Sequence, residues 1–256
     1  MAFDILIGGV GDAFSLKHYG THFLLRHNDF VLAIDCPDHF RRALSEHPYS
    51  EDQAPLDVDD LDAVYLTHLH GDHVNGLEMT LAYRTMVLQK PPLPVYGIAE
   101  VVDDLWPRRL QVSLGRAYDG DDWSTIDAER YFDLNRLSLE ESNRLGPFEV
   151  ELRLTKHHLP TTAMRISDGH GTMAYSCDTA FDPDLIEWLA ADSDVIFHEC
   201  TFGAAHTQLF NLQKLDESIR KKLILVHYSD QMIGMDTGDL KMARQGQVVT
   251  CPICKS

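Results

Sequence analysis

The chain has 256 residues, 44% of them hydrophobic and 24% charged, with a formal net charge of −18 at pH 7. That length can bury a sizeable core and the composition is that of an ordinary globular protein, while so acidic a surface repels a long polyphosphate unless a basic patch offsets it. No stretch approaches the ~20 apolar residues of a membrane span, and five dispersed cysteines (Cys36, Cys177, Cys200, Cys251, Cys254) argue against a disulfide framework.

The first residues, Met1 to Gly8, read as a strand rather than a basic leader, so a cytoplasmic location is expected. Strands are expected at 3–7, 21–25 and 30–34. Gly8-Gly9-Val10-Gly11 is a tight turn that lacks both the G-x-G-x-x-G spacing and the Gly-Lys-Ser/Thr ending of a phosphate cradle. Asp38 is placed to cap a helix through Phe40, Ala43 and Leu44. Further helices are expected from Val74 to about Leu88 and from Ile98 to about Trp106, with a short strand at Val95-Tyr96 between them. Residues 115–130 form an acidic surface excursion. Strands resume at 131–134 and 148–155. Asp182-Pro183 opens a helix with a capping residue and a proline at its first position. Another helix near 211–221 precedes the strand Leu223 to Val226. The basic clusters Arg41-Arg42, Arg108-Arg109 and Arg220-Lys221-Lys222 read as solvated helix faces. No repeat of fixed period, linker or low-complexity tract interrupts the chain, so one domain over 1–250 is expected, with 251–256 a short tail. Strands in runs, then helices, then the same again suggest two sheets face to face with helices outside, a four-layer α/β arrangement.

The densest chemistry lies in Thr67-His68-Leu69-His70-Gly71-Asp72-His73, directly after the apolar run Ala63 to Leu66. Side chains alternate along an extended chain, so His68 and His70 point to one side, and a turn through Gly71 lets Asp72 and His73 face a second point nearby. That pattern suits two adjacent cations, and imidazole nitrogen with carboxylate oxygen suits borderline metals, zinc above all. Other ligand types end later strands: His157-His158, Asp178 after Cys177, His198-Glu199 and His227. Loops at one sheet edge converge on a shared site while the scaffold stays rigid.

His68-Leu69-His70-Gly71-Asp72-His73, with a later histidine, an aspartate and a last histidine, resembles the signature of the metallo-β-lactamase-fold hydrolases. Within them the chain looks most like the ribonuclease Z and cyclic-nucleotide phosphodiesterase branch, through His157-His158-Leu159-Pro160, Ser176-Cys177-Asp178-Thr179, His198-Glu199-Cys200-Thr201-Phe202 and Val226-His227-Tyr228-Ser229. The resemblance implies an αββα sandwich and two divalent metal ions, zinc foremost, with manganese or iron accepted by the same ligands. His68, His70 and His157 would bind one metal, Asp72, His73 and His227 the other, and Asp178 both. His157 is chosen over His158 because the family's histidine stands three before this proline. A hydroxide between the metals would be the nucleophile, its pKa lowered toward ~7. Asp72 and His198 would be catalytic, His198 as proton donor with Glu199 orienting it. His206 would contact substrate or a neighbouring subunit, and Asp35 would orient a ligand imidazole. Cys177 reads as a packing residue.

Two departures narrow the expectation. Pro37 stands where relatives usually have glycine. The long basic arm with which ribonuclease Z relatives hold tRNA is not evident, and 115–130 is acidic. A small phosphodiester such as a cyclic nucleotide is therefore the expected substrate, and large nucleic acid is not an expected partner. The alternatives are a carboxyl-ester, lactone or thioester hydrolase and a tRNA 3′-processing endoribonuclease. A diiron oxygen- or nitric-oxide-reducing protein would favour a carboxylate at position 70, where this chain has His70. A homodimer is implied by the branch. Cys251-Pro252-Ile253-Cys254 is half of a zinc knuckle and reads as a mobile tail with two free thiols.

Overall fold

Alternating apolar and polar residues make the half-covered strands here, and continuous apolar runs make those covered on both faces. The computed structural model of the protein describes residues 2–252. β1 (Phe3–Gly9), β2 (His22–His27) and β3 (Phe30–Ile34) form an antiparallel meander, and β4 (Ala63–Tyr65) and β5 (Leu93–Gly97) continue it in parallel. A hairpin of β6 (Arg116–Tyr118) and β7 (Trp123–Thr125) intervenes before β8 (Phe132–Arg136) adds in parallel to β5. The second half repeats the scheme. β9 (Asn143–Leu145), β10 (Phe148–Leu154), β11 (Thr162–Ser167) and β12 (Thr172–Tyr175) are antiparallel neighbours. β13 (Val195–Glu199), β14 (Leu223–Val226) and β15 (Lys241–Met242) then run parallel, and β16 (Gln247–Cys251) returns to pair antiparallel with β1. Two seven-stranded sheets result, ordered β16-β1-β2-β3-β4-β5-β8 and β15-β14-β13-β12-β11-β10-β9.

The sheets meet through aromatic side chains. The Phe23 ring of β2 lies 4.9 Å from both Tyr175 of β12 and Phe197 of β13, and Phe3 meets Phe148 at 5.2 Å. His22, one position earlier and so on the opposite face, packs 5.1 Å from Phe40 of α1 (Phe40–Glu46) outside the first sheet. α2 (Gly71–Ala82), α3 (Ala99–Leu105) and α4 (Gln111–Leu114) follow in the first half, and α5 (Pro183–Ala191), α6 (Leu209–Leu212) and α7 (Glu217–Arg220) in the second. On the outside of the second sheet, Arg165 of β11 stacks over Trp188 of α5 at 4.7 Å. This α/β sandwich is the expected architecture. Among the described residues no helix is long and apolar enough to cross a membrane.

Several boundaries differ from expectation. Asp38 does not cap α1; His39 occupies that position in the left-handed region, and Asp38 instead accepts from Asn75. α2 starts at Gly71 rather than Val74, which puts the Asp72 carboxylate in its first turn, where the helix dipole favours it. The helix expected near 211–221 is split into α6 and α7 because Asp216 leaves the helical region. Residues 116–125 are an exposed hairpin whose turn is held by Asp119 accepting the N–H groups of Asp121 and Asp122. Cys251 is not part of a tail: it is buried, closes β16 and pairs with Phe3. Burying the edge of β1 extends the sheet to that residue. Cys254 lies outside the described residues.

Candidate active site

β3 and β4 are parallel and end at the same edge of the first sheet, delivering Asp35 and the Thr67–His73 segment there. In the second sheet β10 and β12 are both antiparallel to β11, so they point the same way, and β13 and β14 are parallel to β12. His157, Asp178, Glu199 and His227 therefore leave from one edge, as ligand groups do at the carboxyl ends of parallel strands. Three of the turns there use non-glycine residues in the left-handed region: Asp35 (φ 63°), Cys177 (φ 49°) and His227 (φ 49°). Each such residue costs roughly 1–3 kcal/mol and persists only where its surroundings impose it. Cys177 turns the chain so that Asp178 faces the centre, while its own thiol lies 3.7 Å from His68 Nδ1. No glycine marks these turns, so the sequence pattern does not betray them.

Two groups of donors share Asp178. His68, His70, His157 and Asp178 place one donor atom each within 4.8 Å of one another, and so do Asp72, His73, Asp178 and His227. Asp178 Oδ2 lies 3.6 Å from His157 Nε2 and 3.9 Å from His68 Nε2. Its Oδ1 lies 3.4 Å from His73 Nε2 and 3.5 Å from His227 Nε2. Asp72 Oδ2 is 3.2 Å from His227 Nε2 and 3.4 Å from His73 Nε2. The 3.2–3.5 Å separations among Asp72, His73, Asp178 and His227 are those of tetrahedron edges whose centre lies about 2.0–2.1 Å from each donor, the bond length of zinc to nitrogen or oxygen. His73 Nε2 and Asp178 Oδ1 are buried and make no hydrogen bond, although they face each other. Such orphaned atoms are rare unless something else binds them.

Three of the imidazoles, His73, His68 and His157, have an oxygen behind Nδ1 that favours a ligating tautomer. His73 Nδ1 donates to Asp35 at 2.8 Å, which leaves its Nε2 lone pair aimed inward. Asp35 is wholly buried and also accepts from Thr67, from the backbone N–H at 2.9 Å and the hydroxyl at 2.8 Å. Thr67 Oγ1, having donated to Asp35, can accept from His68 Nδ1 at 3.1 Å. His157 Nδ1 approaches the carbonyl of Ala205 at 3.4 Å.

Electrostatics favour positive charge at this point. Burial pushes the His73 imidazole down, but the carboxylates of Asp178, Asp72 and Asp35 outweigh it and hold it well above the ordinary histidine range. Burial works against ionised Asp178 too, yet His227 and His73 keep it well below the usual carboxylate range. His68 is driven well down by burial and by His73, and His157 falls to about 4 chiefly through burial. Among the described residues, Asp35, Asp72 and Asp178 have only histidines as cationic partners, with no lysine or arginine. Buried carboxylates need compensating charge, so divalent cations fit this donor set in chemistry and in field.

His198 does not stand where a proton donor is expected, while His206 lines the cavity. His198 is fully buried, donates through Nδ1 to the Glu199 carbonyl at 2.7 Å, and does not line the cavity. Burial lowers it to about 4. Neighbouring residues of a strand point to opposite faces, so Glu199 faces the site and His198 cannot. The Glu199 carboxylate instead takes His206 Nδ1 at 3.0 Å and also accepts from the Thr179 N–H. Burial and nearby Asp178 hold Glu199 well above the usual range. The His206 ring lies 5.3 Å from His157 and is stacked on His227 at 5.7 Å. A cavity of about 320 Å³ opens over the cluster, lined by His70, Asp72, His157, His158, Asp178, His206 and His227 and also by Asp12, Ala13, Phe14, Thr201 and Phe202. A larger groove of about 840 Å³ beside Arg41 and Tyr83 holds none of these ligand-type histidines, so volume alone does not locate the site.

Fold and site together define a protein of the metallo-β-lactamase fold with a donor cluster that could hold metal ions. The metallo-β-lactamase fold protein YhfI from Bacillus subtilis superposes with a TM-score of 0.74 at 19% identity, covering 98% of this chain and 100% of that one. The short form of human tRNase Z superposes at 0.72 and 18%, with the same coverage. Residues 3–249 match the family model described as anti-Pycsar protein Apyc1. The anti-Pycsar protein Apyc1 of Paenibacillus sp. (strain J14) is 34% identical over 260 residues, 98% of this chain and 100% of the relative. The chain belongs to the anti-Pycsar Apyc1 family.

Proposed function

We propose that the protein is a phosphodiesterase that cleaves a small phosphodiester, a cyclic nucleotide in particular, at a centre of two divalent cations, zinc foremost. His68, His70 and His157 would hold one cation, Asp72, His73 and His227 the other, and Asp178 would give one carboxylate oxygen to each. When bound, the pair supplies a water acidic enough to ionise near neutral pH and a positive clamp for the phosphate oxygens. Asp35 and Thr67 keep His73 and His68 in the tautomers that present Nε2 inward. His206 would donate the proton that the leaving alkoxide needs, from Nε2, with Glu199 fixing Nδ1; this role passes to it from His198.

The observation that carries this reading is the sharing of Asp178 between two histidine groups in one cavity. The 320 Å³ volume suits a mononucleotide-sized ligand, and the net charge of −18 opposes a long polyanion. Membership of the anti-Pycsar family is consistent with a cyclic nucleotide. A homodimer and a cytoplasmic location belong to the same reading. Protein loaded with zinc or manganese should hydrolyse cyclic nucleotides and bis-p-nitrophenyl phosphate, and Asp72→Ala should not. Turnover of lactones or thioesters alone would refute the phosphodiesterase reading.

A further inference from the structure

A second group of side chains faces the cavity without any capacity to hold cations. Phe14, on the loop between β1 and β2, and Phe202, on the loop after β13, line the same cavity as the histidines. Phe14 is 89% exposed and Phe202 50%, so neither ring is part of the core. Single exposed apolar residues are common and mean little by themselves. Here the backbones beneath the rings are anchored. Asp12 ties the two loops together: Oδ1 accepts the Phe14 N–H at 3.1 Å and Oδ2 accepts the Thr201 hydroxyl at 2.8 Å. The Asp12 N–H donates to the carbonyl of Tyr228 at 3.2 Å. Beyond Phe14, Asp230 accepts the Ser15 hydroxyl at 2.6 Å and the Leu16 N–H at 2.9 Å. The loop is thus fixed on both sides of a ring that touches little of the protein.

We infer that Phe14 and Phe202 form a base-binding subsite, against which the planar heterocycle of a nucleotide lies while its phosphate meets the histidine and aspartate cluster. This rests on the phosphodiesterase reading for the phosphate end. The polar groups that these loops add to the cavity lining, Asp12 and Thr201, are bonded to each other and to the loops, so recognition falls to the ring faces. Every base has such a face, so stacking separates bases weakly from one another and strongly from ligands that have none. Asp12 is a positioning residue that sets the two loops relative to each other.

The metal-loaded protein and its Phe14→Ala, Phe202→Ala and Phe14→Tyr variants would be compared on purine and pyrimidine 3′,5′-cyclic nucleotides. A base-free 1-deoxyribose 3′,5′-cyclic phosphate serves as control, and equilibrium dialysis measures binding of nucleoside 5′-monophosphates. Each alanine variant should raise KM and Kd for base-bearing ligands about 5- to 100-fold. The kcat and the kinetics of the base-free substrate should stay unchanged, and Phe14→Tyr should retain tight binding. Unchanged Kd in both alanine variants, or an equal effect on the base-free substrate, would overturn the subsite while leaving the phosphodiesterase reading intact. If the wild type turns over no cyclic nucleotide but binds monophosphates in a Phe14-dependent way, the phosphodiesterase reading falls and the subsite stands. If it binds no nucleotide, the subsite is overturned.

Discussion

Asp35 is the residue whose replacement most sharply tests how the site is built. It is fully buried and accepts from the Thr67 N–H, the Thr67 hydroxyl and His73 Nδ1, all at 2.8–2.9 Å. Asp35→Ala would strand three buried donors, and at about 1–3 kcal/mol each the loss is about 3–9 kcal/mol, comparable with the whole stability of a domain. Asp35→Asn is the cleaner perturbation because it keeps the shape and one acceptor. Its amide NH₂ can face His73 only if Nδ1 becomes an acceptor, which moves the imidazole proton to Nε2, where a cation would bind. We expect Asp35→Asn to fold and to lose cation affinity by 10- to 100-fold, the usual effect of removing a carboxylate behind a ligand histidine. Zinc titration in competition with a chromophoric chelator measures this, with a melting curve of the metal-free protein as the folding control. A folded Asp35→Asn that binds zinc as tightly as the wild type would refute the argument that this carboxylate sets the His73 tautomer.

Four further outcomes follow from the structure. His206→Asn should lower kcat on a cyclic nucleotide by 10²- to 10⁴-fold and much less on a p-nitrophenyl ester, whose leaving group needs no proton; equal losses on both would exclude His206 as the donor. His198→Asn should instead reduce stability while leaving the activity of the folded fraction within a few fold, and a His206-like leaving-group dependence would reverse the assignment. Phe23→Ala, which empties the space between Tyr175 and Phe197, should cost about 3–5 kcal/mol in urea denaturation, and a loss below 1 kcal/mol would show that the sheets do not depend on this contact. His22 is buried neutral, its pKa lowered by burial from 6.5 to about 4. The unfolded chain therefore binds the extra proton between those values, so stability is full above about pH 6.5 and falls toward pH 4, by up to about 3 kcal/mol from this residue. His22→Phe should flatten that part of the pH profile, and a profile parallel to the wild type would refute it.

Much of the site is legible in the sequence because its ligands follow strands, and strands of one sheet that run in parallel end together. Four of the donor residues lie within six positions at 68–73, so local spacing alone brings His68, His70, Asp72 and His73 into one place. Asp178 and His227 stand directly beyond apolar runs. The proposed proton donor is less legible because alternation along β13 decides it: once Glu199 faces inward, its neighbour His198 must face away, and the partner of Glu199 comes from a loop seven residues on. The left-handed turns at Asp35, Cys177 and His227 are invisible for a different reason, since tertiary packing rather than residue type imposes them. β16 is also hidden, because its short, weakly patterned strand is stabilised only by pairing with residues 3–7 at the other end of the chain.

The two halves of the fold divide the donor residues between them, four to three. His68, His70, Asp72 and His73 belong to the first half, and His157, Asp178 and His227 to the second. A cation held by both sets is a tie between two half-molecules, and its binding free energy is shared with their docking. The coupling runs in both directions. Whatever tightens the packing of Phe23 on Tyr175 and Phe197 would tighten the grip on such a cation, and whatever loosens that interface would weaken it.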